Sequence, residues 1–329
     1  MAVLIGTDTV TSIANRYVVP TITDQIYPAN VFLYRVHRAN KKMVQGGTQI
    51  EVPSMYRRFA AGGAYRGFEP LDTTPSDTIR NGALDWKQYY VPWSLSGLTL
   101  IQTDSPEAIA NFLTLQSQQA FMEMAEILAF GLFQNGVSNV KELDGFAGAI
   151  GNSSVGNTSY AGITRSANSW WNSSVDATTA TLTLASLHAL IMNASRGGQH
   201  PTILLTRQEQ YNRAWALGTA STGYTVQQQR APGGHDELLL SAGFTNILVD
   251  NIPLVVDPHV DNGPNANNGR IYAINENTFH LCVSPRADFY VEPFQKPVNQ
   301  DAMVSMILWA GNLVCTAPNL NAVMTNVSA

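Results

Sequence analysis

Cysteine, charge and long apolar runs are all scarce in this chain. Only Cys282 and Cys315 occur in 329 residues. Two such distant thiols exclude a disulfide framework and give no metal-ligand spacing, so both read as small core hydrophobes. Charged side chains make up 13% of the sequence, about half the share of roughly 25% in an ordinary soluble domain. Much of the surface must therefore be Asn, Gln, Ser, Thr and apolar groups. Such a surface suits burial against further copies of the chain, and is equally compatible with a merely polar exterior. No run approaches the roughly 18 to 20 apolar residues that span a bilayer. The opening Met1 to Gly6 has no basic region before its short apolar run, so no secretory signal is expected and a cytoplasm is the expected place of synthesis.

What charge there is lies unevenly. Residues 1–90 carry ten Lys/Arg against seven Asp/Glu, and residues 91–329 carry nine against seventeen. A nucleic-acid reader would be expected to show a basic face; the larger part of this chain would instead repel phosphate. The 45% hydrophobic content is enough for a substantial core in one elaborated domain or two.

The clearest element expected is a helix from Asp104 to Gly136. Asp104, Ser105, Pro106 and Glu107 form a start signal. Ile109, Phe112, Leu113, Ala120, Met124, Ile127 and Leu128 recur at helical spacing, and Asn135–Gly136 supplies a stop. Before it, residues 1–43 read as a partly helical arm broken by Pro20 and Pro28, or as a capping helix of the same domain. Thr48 to Val52 alternates like a strand, and Leu84 to Leu100, with Trp86, Tyr89, Tyr90, Val91 and Trp93, reads as another. Between them some thirty residues have little hydrophobic pattern, including Arg57, Arg58, Arg66 and Glu69. A segment that long without its own core points to a binding loop or a mobile segment, at the end of a two-stranded ribbon. Further on, Leu184 to Ser195 and Gln208 to Leu217 read as helices, with Thr202 to Thr206 a buried strand between them.

Several motifs follow in a set order: Asp85-Trp-Lys-Gln88, Ser96-Gly-Leu98, the long helix, Leu143-Asp-Gly145, Tyr160-Ala-Gly-Ile-Thr-Arg165, and the pair Trp170-Trp171. In these the chain resembles, over nearly its whole length, the major capsid protein of tailed bacteriophages. The resemblance implies an α+β capsid-shell fold, shared with encapsulins and the herpesvirus capsid floor. Its implied parts are an N-terminal arm (1–43), an extended β-ribbon loop with flanking strands (44–100), a peripheral domain (101–139 and 286–316) containing the spine helix, and an axial domain (140–285 and 317–329). It implies a non-enzymatic, self-assembling icosahedral shell around double-stranded DNA, in a virion assembled in the host cytoplasm. Portal, scaffolding or decoration proteins are the further partners, and an encapsulin-like compartment is the alternative. Candidate contacts between subunits are Arg57, Arg58, Arg66, Glu69, Trp86 and Trp93. Relatives that cross-link do so through a lysine of the extended loop; here Gly46 to Leu84 has none, and Lys87 lies at the ribbon's root.

Catalytic, cofactor and metal signatures are not expected anywhere. Gly151 to Thr158 has the glycine spacing of a phosphate loop, but Asn157 stands where lysine is needed. Asp257 to Asn268 lacks the glycine and glutamate of a calcium loop, with Asn262 and Asn268 in their places, and reads as a turn. Glu123 and Glu126 share a helix face, and a solvated or interfacial role is expected for them. Trp170 and Trp171 read as packing anchors.

Overall fold

The computed structural model describes residues 30–96, 106–220, 247–261, 269–297 and 301–328. Along the chain come α1 (Val31–Ala39), β1 (Lys41–Met43), β2 (Gln49–Met55), β3 (Ile79–Asp85), β4 (Lys87–Ser96), α2 (Pro106–Gly131) and α3 (Phe146–Ala149). Next are β5 (Ser159–Tyr160), β6 (Ile163–Thr164), β7 (Ser174–Asp176), β8 (Ala180–Thr181), α4 (Leu184–Ala194), β9 (Ile203–Thr206) and α5 (Gln208–Ala220). The last strands are β10 (Ile247–Val249), β11 (Ile252–Val256), β12 (Gly269–Ile274), β13 (Phe279–Val283), β14 (Tyr290–Val291), β15 (Ala302–Cys315) and β16 (Ala322–Ser328).

The first sheet is built on β15. It pairs antiparallel with β4 from Ala302–Ser96 to Gly311–Lys87, and with β13 from Gly311–Val283 to Cys315–Phe279. β14 joins beside Leu308, and β1 runs parallel to β13 at the far edge. Burial along β4 alternates, with even-numbered residues exposed and odd-numbered ones wholly or partly buried, as a sheet covered on one side requires. The cover is α2, whose Ala120, Met124 and Leu128 share a core with Val91 and Ile307. At 1.5 Å per residue its 26 residues make a rod of about 39 Å.

The second sheet has the order β10-β11-β9-β12-β16-β7, with β8 also beside β16. Its core gathers Leu187, Leu190 and Ile191 of α4 with Leu204, Leu254 and Ile271 of the strands. Thr183 caps α4 through a reciprocal bond with Ser186. The two layers meet around fully buried Phe146, whose ring lies 4.7 Å from Phe32 and 5.2 Å from both Phe133 and Phe279. Truncating such a ring costs about 3–5 kcal/mol.

Two expectations change, and two are made more definite. The long helix stops at Gly131, five residues short of Gly136, because the Leu132 carbonyl turns to accept from the Phe146 amide at 2.6 Å; its expected start at Asp104 lies outside the described residues. Of the two readings given for the N-terminal stretch, residues 31–43 follow the second, a helix packed on the same body, with Phe32 in the aromatic core and Lys41–Met43 in the first sheet; residues 1–29 lie outside the described residues. The strand read from Leu84 to Leu100 is two strands: β3 belongs to the ribbon and, past Trp86, β4 belongs to the sheet. Finally, β13 lies in the first sheet, so that sheet reaches back to Phe279 and not only to residue 286.

Candidate assembly surfaces

The ribbon has a fixed root and an uncovered tip. At the root, β2 and β3 pair from Gln49–Asp85 to Met55–Ile79, and Ile50, Val52 and Leu84 are buried against the body. The Ala83 amide donates to the Ala161 carbonyl at 2.9 Å. A Cβ added to Gly82 would stand 2.8 Å from Ala161 Cβ, so only glycine allows this approach. Ala161 and Gly162 both have positive φ, as the tight turn joining β5 to β6 requires. Arg80 Nη1 donates to Asn168 Oδ1 at 3.0 Å, and the Tyr56 ring lies 5.5 Å from Trp170.

A buried polar group fixes the foot of β4. Asn312 Nδ2 donates to Asp144 Oδ2 at 2.7 Å and to the Asp85 carbonyl at 2.8 Å, while its Oδ1 accepts from the amides of Asp144 and Leu313. Lys87 Nζ donates to the Val140 carbonyl at 2.6 Å and lies 3.7 Å from Asp144. Burial raises the Asp144 carboxyl above the usual range, opposed by Asn312 and Lys87. Tyr89 OH accepts from the Leu143 amide at 2.8 Å, and burial pushes its hydroxyl up to about 12. Gly145 is required where a Cβ would meet the Leu132 carbonyl oxygen at 2.2 Å.

The other motif residues are also structural. Arg165 is fully buried and gathers the carbonyls of Asn157, Gly148 and Ala149 at 2.6 to 3.0 Å; burial lowers its guanidinium to about 10. Trp171 Nε1 donates to the Tyr160 carbonyl at 3.0 Å, and Tyr160 OH accepts from the Cys315 amide at 2.9 Å. Cys282 and Cys315 are free and buried, and desolvation pushes the Cys315 thiol up to about 12.

Beyond Tyr56 the ribbon is exposed along almost its whole length to Ile79. Its exposed side chains include Met55, Phe59, Tyr65, Phe68, Leu71 and Ile79, with Met55 at 83% and Phe68 at 107% of full accessibility. So many large apolar groups on one projection mark an interaction surface. Arg57, Arg58, Arg66 and Glu69 stand on the same tip, and no ion pair within the chain engages them among the described residues. Glu69 Oε2 accepts from the Arg66 amide at 3.2 Å. The other two candidates lie elsewhere. Trp86, at the root, donates from Nε1 to the Gly47 carbonyl at 3.1 Å, and Trp93 packs edge-on against Phe294 at 4.8 Å. A second uncovered surface is the even face of the first sheet, where Tyr90, Pro92 and Met306 are exposed.

Among the described residues no group of three or more His, Cys, Asp and Glu side chains could hold a metal ion, and no helix is long and apolar enough to cross a membrane. One charged cluster escaped the sequence: Glu126 on α2 meets His259 and Asp257 after β11. Glu126 and His259 are 133 residues apart in the chain, and no local pattern announces their contact.

No family model and no curated protein sequence matches the chain. Solved structures do, end to end. The capsid of cyanophage A-1(L) matches with a TM-score of 0.68 and 15% identity, over 96% of this chain and 98% of that one. The capsid of a native GTA particle matches with a TM-score of 0.63 and 12% identity, over 97% and 96%. An encapsulin complex from Synechococcus elongatus matches with a TM-score of 0.60 and 11% identity, over 99% and 96%. The chain thus has the α+β capsid-shell fold common to phage heads and encapsulins.

Proposed function

We propose that this chain is the major capsid protein of a tailed phage: a structural, non-enzymatic subunit that self-assembles into an icosahedral shell around double-stranded DNA. The observation that carries the reading is the ribbon, anchored at Gly82 and Asn312 yet exposing Met55, Phe59, Phe68 and Leu71 at its far end. A solitary subunit gains nothing from an apolar projection, whereas a repeated one covers it on the next copy and closes a shell through identical contacts. On this reading the body of the first sheet with α2 is the peripheral domain and the second sheet with α4 and α5 the axial domain. The acidic greater part of the chain encloses DNA without sequence-specific grip. Portal and scaffolding or decoration proteins complete the particle, which is assembled in the host cytoplasm and found as the virion capsid.

A second reading, an encapsulin-like compartment, has the likeness to the Synechococcus elongatus complex in its support. Negative-stain imaging of the expressed full chain tests the shared claim. Closed shells of uniform size are expected; monomers alone at every concentration would refute it. Analysing the contents of particles from the native source separates the two readings, since nuclease-protected DNA fits the phage head and a packaged enzyme fits the compartment.

A further inference from the structure

We infer that Glu126, His259 and Asp257 form a protonation-dependent latch between α2 and the end of β11, closed when the His259 ring is an imidazolium. Both ring nitrogens face carboxylates: Nε2 lies 2.6 Å from Glu126 Oε1 and Nδ1 lies 3.1 Å from Asp257 Oδ1. A neutral imidazole has one N–H, so one nitrogen would turn a lone pair toward an anionic oxygen. Only the doubly protonated ring satisfies both contacts. The site is enclosed, with the His259 side chain 8% exposed and Asp257 1%, while Glu126 at 29% is the arm able to swing into water.

The latch reaches a third element. Asp257 Oδ2 accepts from Asn30 Nδ2 at 2.8 Å, and Asn30 Oδ1 caps α1 through the Leu33 amide. Helix α2, the second sheet and the start of α1 thus share one hydrogen-bonded chain. Of the other charges on these elements, Asp261 pairs with Arg270 at 2.6 Å, and Glu123 lines a cleft with Val91 and Trp93. The hydrogen bond that Asp257 accepts raises the His259 pKa most, against desolvation and with Glu126 adding to the rise.

For a histidine with a raised pKa in the folded state, the stabilisation is complete below the ordinary value near 6.5 and is lost as pH climbs through the raised value. Between those limits the opening equilibrium grows by up to about tenfold per pH unit. The test is amide hydrogen exchange on the full-length protein, corrected for intrinsic rates, followed in Ala120–Leu132 and Ile252–Val260 from pH 6 to 9. Wild-type protection is expected to fall with rising pH. Glu126→Gln gives neutral His259 an amide donor but leaves Asp257 in place, so a shallower fall is expected, whereas His259→Asn removes the titrating group and is expected to give a flat profile. A flat wild-type profile, or variants retaining the wild-type slope, would overturn the latch. The readout is local to the subunit and stands whether or not shells form.

Discussion

Asn312 and Asp144, 168 residues apart, meet through a 2.7 Å bond from the Asn312 amide to the Asp144 carboxylate. Through it the strand that centres the first sheet is tied to the loop leaving α2, beside the foot of the ribbon. Every polar atom of the Asn312 side chain is used, its oxygen accepting from the amides of Asp144 and Leu313.

Replacing Asn312 with leucine keeps the volume and strands four partners. Each buried group left unsatisfied costs about 1–3 kcal/mol, so Asn312→Leu is expected to lower stability by roughly 3 kcal/mol or more in urea unfolding of dissociated subunits. An unchanged midpoint would show that Lys87 and water hold the loop without the amide.

Gly82→Val places a branched side chain where a single Cβ already stands 2.8 Å from Ala161. Overpacking of this kind costs about 1–3 kcal/mol, and here the ribbon can relieve it by lifting. Faster exchange of the Ala83 amide, now bonded to the Ala161 carbonyl, is the expected sign. Unaltered protection would mean that the ribbon root is held elsewhere.

Arg57, Arg58 and Arg66 are proposed to pair with acidic groups of a neighbouring copy, following the opposite net charges of the two parts of the sequence. Reversing all three to glutamate is expected to slow assembly followed by light scattering, most strongly at low salt where screening is weak. Assembly at the wild-type rate at every salt concentration would remove the arginines from the interface.

The apolar tip residues make a separate prediction. Phe59→Ser with Phe68→Ser removes exposed surface only, so subunit stability should stay within about 0.5 kcal/mol. The concentration needed for assembly should rise at least tenfold, as two lost aromatic contacts of about 1 kcal/mol or more imply. Assembly at the wild-type threshold would place the contact elsewhere on the ribbon.

Local chemistry made much of this fold legible. The strand at Thr202 to Thr206, the helices around Leu184 and Gln208, and the patternless tip between β2 and β3 all followed from periodicity or its absence. The helix end was misplaced because Asn135–Gly136 carries a valid stop signal, whereas the real stop depends on Phe146 reaching back to Leu132. Which side of the strand Trp86 and Trp93 take was not legible, because aromatic strands read alike whichever face is covered. The meeting of Glu126 with His259 and Asp257 was invisible, since only the tertiary fold brings α2 to the end of β11.

Sedimentation velocity of the intact chain beside a variant with residues 57–78 replaced by a short turn tests the ribbon-built shell most directly. The intact chain is predicted to sediment as a large closed particle, and the shortened one as a folded subunit somewhat below the 35.7 kDa of the intact chain, or a small oligomer. An intact chain that stays monomeric, or a shortened chain that closes shells as readily, would contradict it.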